Sequence, residues 1–346
     1  MTELAFSAQD LLQMRFAVSP MWEVGTSFRM LRGATGLPLH RRWIDQVRPR
    51  VEAAGLHRGR LAELIPPGAG YVPDFLNPAP VGPAPTLADE LAVVVATPAA
   101  RVRNDLDLFE SKGATPGPRL RALHADPASQ LPRVAEEIEA YWELALAPYW
   151  ARLRSVLEAD IHHRARQVAE YGAARALDEL HPSLRTDDSG LRLTGRPRGL
   201  GREAVGTGLL LIPSVFKGPR LAVRFTPPDP PQLAYAARGL GTLFDPPTVA
   251  GADALAAVVG RSRTVLLTEL HSPASTTDLA ARTGLSPAGV SQHLTALRQA
   301  GLVSAHRAGR SVLYARTAAA ETLLAAAAAP PAGSPTAAAH SSVIAR

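Results

Sequence analysis

Apolar residues recur at helical spacing through much of the first 180 positions, with frequent interruptions. Phe6–Met14 predicts a short helix, with Ser7 as its N-cap and Leu11 and Leu12 among its apolar positions. Pro20 opens a second segment carrying Trp22, Phe28, Met30 and Leu31. A third runs from about Leu39 into Val51, with Trp43, Ile44 and Val47 as its stripe and Pro49 expected to kink or split it. Residues 66–86 are rich in Pro and Gly and predict a loop pinned by Tyr71, Phe75 and Leu76. Thr86 caps the next helix, before Leu87, Leu91, Val94 and Val95. The strongest helical stretch is 132–181, where Leu144, Leu146, Leu153, Val156, Leu157, Ile161 and Val168 recur among Glu and Arg and Pro148 marks a break. From Ser189 to Leu233 the texture changes to short apolar runs between Gly and Pro: Leu191–Leu193, Thr207–Ile212 and Leu221–Phe225. These predict strands.

Helical periodicity returns at about Thr248. A short helix, Ala254–Val259, ends at Gly260. A second, Arg261–His271, turns Val265, Leu266, Leu267 and Leu270 inward and stops at Pro273. Ser275-Thr276-Thr277-Asp278 is a capping box with Asp in place of the usual Glu, opening a helix Thr276–Thr283 closed by Gly284. Ser286 and Pro287 then cap a helix Pro287–Ala300, closed by Gly301, with Val290, Leu294 and Leu297 as the buried stripe. Leu302–Ser304 predicts a strand, His306–Arg310 a tight turn, and Ser311–Arg316 a return strand. Helix, turn, helix and basic hairpin make a winged helix-turn-helix.

The expected fold is therefore α+β and mostly α. Residues 1–240 form a helical N-terminal domain with a small antiparallel sheet, expected to sense a signal or dimerise. Residues 248–329 form the winged helix. Residues 330–346, built of Pro, Ala, Ser and Thr, form a disordered tail.

Composition narrows the function. The chain has 346 residues, 37 Lys and Arg against 31 Asp and Glu, and no Cys. Absence of Cys excludes thiolate metal sites, disulfides and a Cys nucleophile. Lysine occurs only at Lys112 and Lys217, so the preference for arginine reads as codon bias. Its placement is more telling. From Leu279 to Ala320 there is no Asp or Glu, while Arg282, Arg298, Arg307, Arg310 and Arg316 are all present, a local footprint for phosphate binding. No export signal or membrane-length apolar run is seen, so the expected location is cytoplasmic and no membrane partner is expected.

Five pieces carry a family resemblance: Thr277-Asp278-Leu279-Ala280, Leu285-Ser286-Pro287, Val290-Ser291-Gln292-His293-Leu294, Leu297-Arg298-Gln299-Ala300-Gly301-Leu302-Val303 and Gly309-Arg310-Ser311-Val312-Leu313-Tyr314. Together they resemble the DNA-binding core of the ArsR (SmtB/ArsR) winged-helix regulators. The resemblance implies a homodimeric repressor reading a pseudo-palindromic operator in double-stranded DNA. Ser286, Ala288, Gly289, Ser291, Gln292 and His293 would meet the major groove, with Thr276, Thr277, Thr295, Arg298 and Tyr314 in support and Arg307 and Arg310 on the wing. His293 is equally open to packing or a phosphate contact.

The metal sensing of that family does not carry over. Cys is absent and the last helix, from Thr317, offers only Glu321, so neither a metal nor a cofactor is expected. Arg15–Pro20, Pro73–Leu76, Ile212–Phe216 and Arg238–Gly241 are similar to larger actinobacterial ArsR-like regulators with an N-terminal domain of unknown function. That domain is the place for a small-molecule effector.

Other candidates are weaker. Glu158, His162 and Arg166, with Asp160 and His163 beside them, share a helix face, which reads first as a solvated face and second as a metal site. Arg192, Arg196, Arg198 and Arg202 read as a solvated loop before an anion site. Trp22, Trp43, Trp142 and Trp150 read as core before pocket. No P-loop, dinucleotide fingerprint or nucleophile elbow is present, so no catalytic residue is assigned. The alternatives to a regulator are an enzyme, or a protein-interaction module, in the N-terminal domain with the winged helix used for targeting.

Overall fold

The computed structural model describes residues 2–6, 8–33, 38–68, 70–187, 190–196, 207–244, 252–309 and 311–328. Helices dominate, as expected. The helix Pro20–Arg32 starts from Ser19, whose hydroxyl accepts the Trp22 N–H at 3.2 Å, with Pro20 in its first turn. The helix Arg41–Ala53 runs through Pro49 without stopping. Its stripe of Trp43, Ile44, Val47 and Val51 packs toward the helix Pro127–Ala145, and that burial outweighs the one hydrogen bond a proline removes. Thr86 forms a capping box with Asp89 at the start of Leu87–Val95. Pro148 lies in a 3-10 turn, Ala147–Tyr149, which redirects the chain into the longest helix, Trp150–Tyr171.

The N-terminus corrects the expected helix Phe6–Met14. Thr2–Phe6 and Met14–Phe16 are strands flanking a five-residue helix, Ala8–Leu12, and the expected cap Ser7 lies outside the described residues. Both strands pair with segments nearly 200 positions away, so no local period reveals them. Thr2–Phe6 runs antiparallel to Gly190–Arg196, which pairs on its other side with Leu184–Asp187. This sheet is antiparallel as expected, but of the three expected strands only Leu191–Leu193 lies in it.

A second, mixed sheet stands beside it, in the order Met14–Phe16, Leu209–Ser214, Gln232–Ala236, Ala222–Arg224. The first two junctions are parallel and the last antiparallel. Leu209–Ser214 is buried along its whole length, which is why its sequence is a continuous apolar run rather than an alternation. Gln232–Ala236, not expected as a separate strand, lies directly after the Pro-rich segment Thr226–Pro231.

Leu266, Leu267, Leu270, Leu279, Val290, Leu294, Leu297 and Leu324 form a separate core in the C-terminal part. Val265, expected to face inward, is 39% exposed. At 3.6 residues per turn, Leu266 and Leu267 turn inward with Leu270, and Val265 falls on the outer edge.

Candidate nucleic-acid interface

The helix-turn-helix is set by its caps. Ser275 Oγ accepts the Asp278 N–H at 3.2 Å, and Asp278 Oδ2 accepts the Ser275 N–H at 3.0 Å, closing the box at the start of Thr276–Thr283. The Ser275 hydroxyl and N–H hold the Asp278 carboxyl below the usual carboxylate range, with Arg282 and Arg50 adding to the effect. Gly284 ends the helix at φ +72°, a left-handed conformation that a side chain would strain. Ser286 Oγ accepts the Gly289 N–H at 3.1 Å, and Pro287 begins the helix Pro287–Gln299.

That helix buries Val290, Leu294 and Leu297 and turns its other face outward. It packs against Arg261–Glu269, Thr276–Thr283 and the first wing strand. Ser286, Ala288, Ser291, Gln292, Thr295 and Arg298 are exposed, and Gly289 and His293 half-buried. Two hydroxyls on this face are already engaged: Ser286 in its cap, and Thr295, which donates to the Ser291 carbonyl at 2.9 Å. Gln292, Arg298 and Gln299 are exposed polar side chains of this helix, with the Ser291 hydroxyl beside them and the Ser286 O–H, whose oxygen accepts in the cap, still able to donate. Thr277 is exposed and Thr276 half-buried at the start of the preceding helix.

The wing is longer than expected. Val303–Ala308 pairs antiparallel with Ser311–Arg316, and Ala308 faces Ser311 across a two-residue connection. His306 and Arg307, expected in the turn, are strand residues. Gly309 follows the first strand at φ +60°, a left-handed conformation that favours glycine. Arg307 is exposed, and Arg310 lies outside the described residues. The Tyr314 ring packs against the C-terminal core, so its reach toward a groove is limited to what remains exposed.

Arg316 leaves the basic face altogether. It is buried and lies 3.0 Å from Glu321 in an ion pair. Glu321, singled out as a lone candidate metal ligand, also lies 3.6 Å from Arg152 of the longest helix. Two further contacts join the winged helix to the helical part. Arg152 Nη1 donates to the His271 carbonyl at 2.7 Å, and His306 Nδ1 lies 3.4 Å from Glu143 Oε2. Ala308 packs against the helical core. These docking residues carry no motif. Their only trace in the sequence is charge at positions that an isolated helix would leave solvated.

The remaining candidates resolve one by one. Trp22 Nε1 donates to Gln232 Oε1 at 2.7 Å and Trp43 Nε1 to the Ala145 carbonyl at 3.0 Å, and both rings are core. Trp142 also belongs to the core, with Trp150 packed against it, and the two rings line a surface pocket as well. Glu158 pairs with Arg154, and Asp160 is buried, accepting from Tyr235 Oη at 2.8 Å and Arg238 N–H at 3.1 Å. Among the described residues no group of three or more His, Asp or Glu is placed to hold a metal ion. Arg192 pairs with Asp187, while Arg198 and Arg202 lie outside the described residues. No helix among the described residues is long and apolar enough to cross a membrane.

A capped helix-turn-helix, an outward polar helix and a hairpin wing define a winged helix-turn-helix domain. Residues 264–305 match the family described as bacterial regulatory protein, arsR family, and this C-terminal domain belongs to it. Residues 93–240 match a family of unknown function, DUF5937. The chain is also similar to the HTH-type transcriptional regulator NmtR of Mycobacterium tuberculosis, 44% identical over 64 residues. That similarity covers 18% of this chain and 53% of the relative, so the chain spans about half the length of the curated protein it matches. No solved structure matches the chain.

Proposed function

We propose that the protein is a DNA-binding transcriptional regulator, acting as a homodimeric repressor under the control of a non-metal signal. The observation that carries this reading is the outward face of Pro287–Gln299. Gln292 and Arg298 point to solvent from an arsR-family recognition helix. They stand in a 42-residue stretch, Leu279–Ala320, that holds no acidic residue. Bidentate amide contacts read adenine in the major groove, and guanidinium groups hold phosphates. Residues 1–240 would supply dimerisation and sensing, and 248–329 DNA binding. In a dimer the two recognition helices would enter successive major grooves about 34–36 Å apart. The regulator would act in the cytoplasm and carry no catalytic site.

The test is a salt titration of binding to the DNA upstream of the gene. Affinity is expected to fall linearly on a log–log plot, with a slope of about −0.9 per phosphate neutralised. Absence of binding to any duplex at low salt would overturn the reading.

A further inference from the structure

The pocket between helices Pro127–Ala145, Trp150–Tyr171 and Leu87–Val95 has a volume of about 480 Å³, within the range of small-molecule sites. Trp142 and Trp150 form its aromatic corner, with ring centroids 4.8 Å apart at 60°. Glu139 and Glu143 line the same pocket from one face of a helix, four residues apart. Glu139 is exposed and has no ion-pair partner among the described residues. Arg154, the one basic residue of the lining, is engaged by Glu158 at 2.7 Å. The Thr86 hydroxyl donates to Asp89, and the N-terminus of Leu87–Val95 already has Asp89 and Glu90 in its first turn. The pocket therefore offers two carboxylates and aromatic surface against one arginine, whose Nε already meets Glu158.

We infer that this pocket is a binding site for an organic cation with an alkyl or aromatic body, and that its occupancy is linked to the wing through Glu143. A cation over an indole face is attracted by the ring quadrupole, and two carboxylates at the mouth add charge. An anion would face two carboxylates against one arginine already shared with Glu158. The link is geometric. Glu143 lines the pocket and also lies 3.4 Å from His306 in the first wing strand. A bound cation that draws Glu143 inward removes a contact holding the wing to the helical part, so cation and DNA affinities must be coupled reciprocally. The second clause rests on the regulator reading, whereas the site itself does not.

The experiment titrates the full chain, without DNA, with benzyltrimethylammonium and tetraethylammonium, following tryptophan fluorescence and heat. Benzyl alcohol and phenylacetate are the neutral and anionic comparators. Saturable binding of a cation is expected, with neither comparator saturating and Glu139→Gln weakening the cation about five-fold. No saturation by either cation up to about 10 mM, equal binding of benzyl alcohol, or an unchanged affinity in Glu139→Gln would overturn the site. A second titration measures affinity for the upstream DNA with and without the cation. A shift in the native chain that is lost in His306→Ala, which removes the wing side of the contact and leaves the pocket lining intact, supports the link. A cation that binds while leaving DNA affinity unchanged overturns the link alone, and a chain that binds the cation but no DNA overturns the regulator reading and leaves the site standing.

Discussion

Arg316 of the second wing strand and Glu321 of the last helix meet at 3.0 Å, with Arg152 of the longest helix 3.6 Å from the same Glu321 oxygen. One carboxylate thus joins the wing, the final helix Ala318–Ala328 and the helical part of the protein. The Arg316 side chain is only 2% exposed, so Glu321 is the counter-charge that compensates its burial. Glu321→Gln leaves a buried guanidinium uncompensated and is expected to lower stability by about 2–3 kcal/mol, the lower end for such pairs because Glu321 is partly solvated. Urea unfolding should show a lower midpoint. An unchanged midpoint would mean that the pair does not hold the wing.

The C-terminal domain was legible because its signals are local. Ser275 with Asp278, Gly284, and Ser286 with Pro287 are caps whose partners lie within four residues, and Val290, Leu294 and Leu297 repeat at helical spacing. The strands Thr2–Phe6 and Met14–Phe16 were not legible, since they are strands only by virtue of partners at Gly190–Arg196 and Leu209–Ser214. The basic face is narrower than the charge pattern along the chain implies, for a similar reason. Charge along the chain does not say that Arg316 turns inward to Glu321, nor that Thr295 bonds its own helix.

Gln292 is exposed and bonds nothing within the described residues, so its removal tests recognition without disturbing the fold. Gln292→Ala is expected to weaken binding to the cognate site by about 1–3 kcal/mol while leaving non-specific binding and the salt slope unchanged. Competition between cognate and random duplexes reads the difference. Equal losses on both duplexes would move Gln292 from base contact to phosphate contact.

Arg298 and Arg307 are exposed on the recognition helix and the wing. If both meet phosphates, Arg298→Ala and Arg307→Ala each reduce the magnitude of the log–log salt slope by about 1 and weaken all duplexes alike. The double variant should be additive, since the two residues stand on different elements. Anisotropy titrations at four salt concentrations measure it. A slope unaffected by Arg307→Ala would place the wing away from the DNA.

Glu23 and Glu90 are buried in the helical part, and burial pushes each carboxyl up to about 7. The opposing pull is smaller. It comes from the Ser214 hydroxyl and the Val215 and Phe216 N–H groups on Glu23, and from the Met21 N–H and Ser19 hydroxyl on Glu90. Each group holds its proton in the folded chain to a higher pH than in the unfolded chain, where 4.5 is the ordinary value. Their contribution to stability is therefore full below about 4.5 and is lost as pH rises through about 7, up to roughly 3 kcal/mol for each group. Glu90→Gln removes the titration while keeping an oxygen for the Met21 N–H, which Glu90 now accepts at 2.7 Å. The variant is expected to unfold at a higher urea concentration than the native chain at pH 8 and to lose that advantage at pH 5. A native midpoint that climbs between pH 5 and 7, corrected for the other titrating groups by the Glu90→Gln and Glu23→Gln variants, would show that these carboxylates are ionised inside the fold.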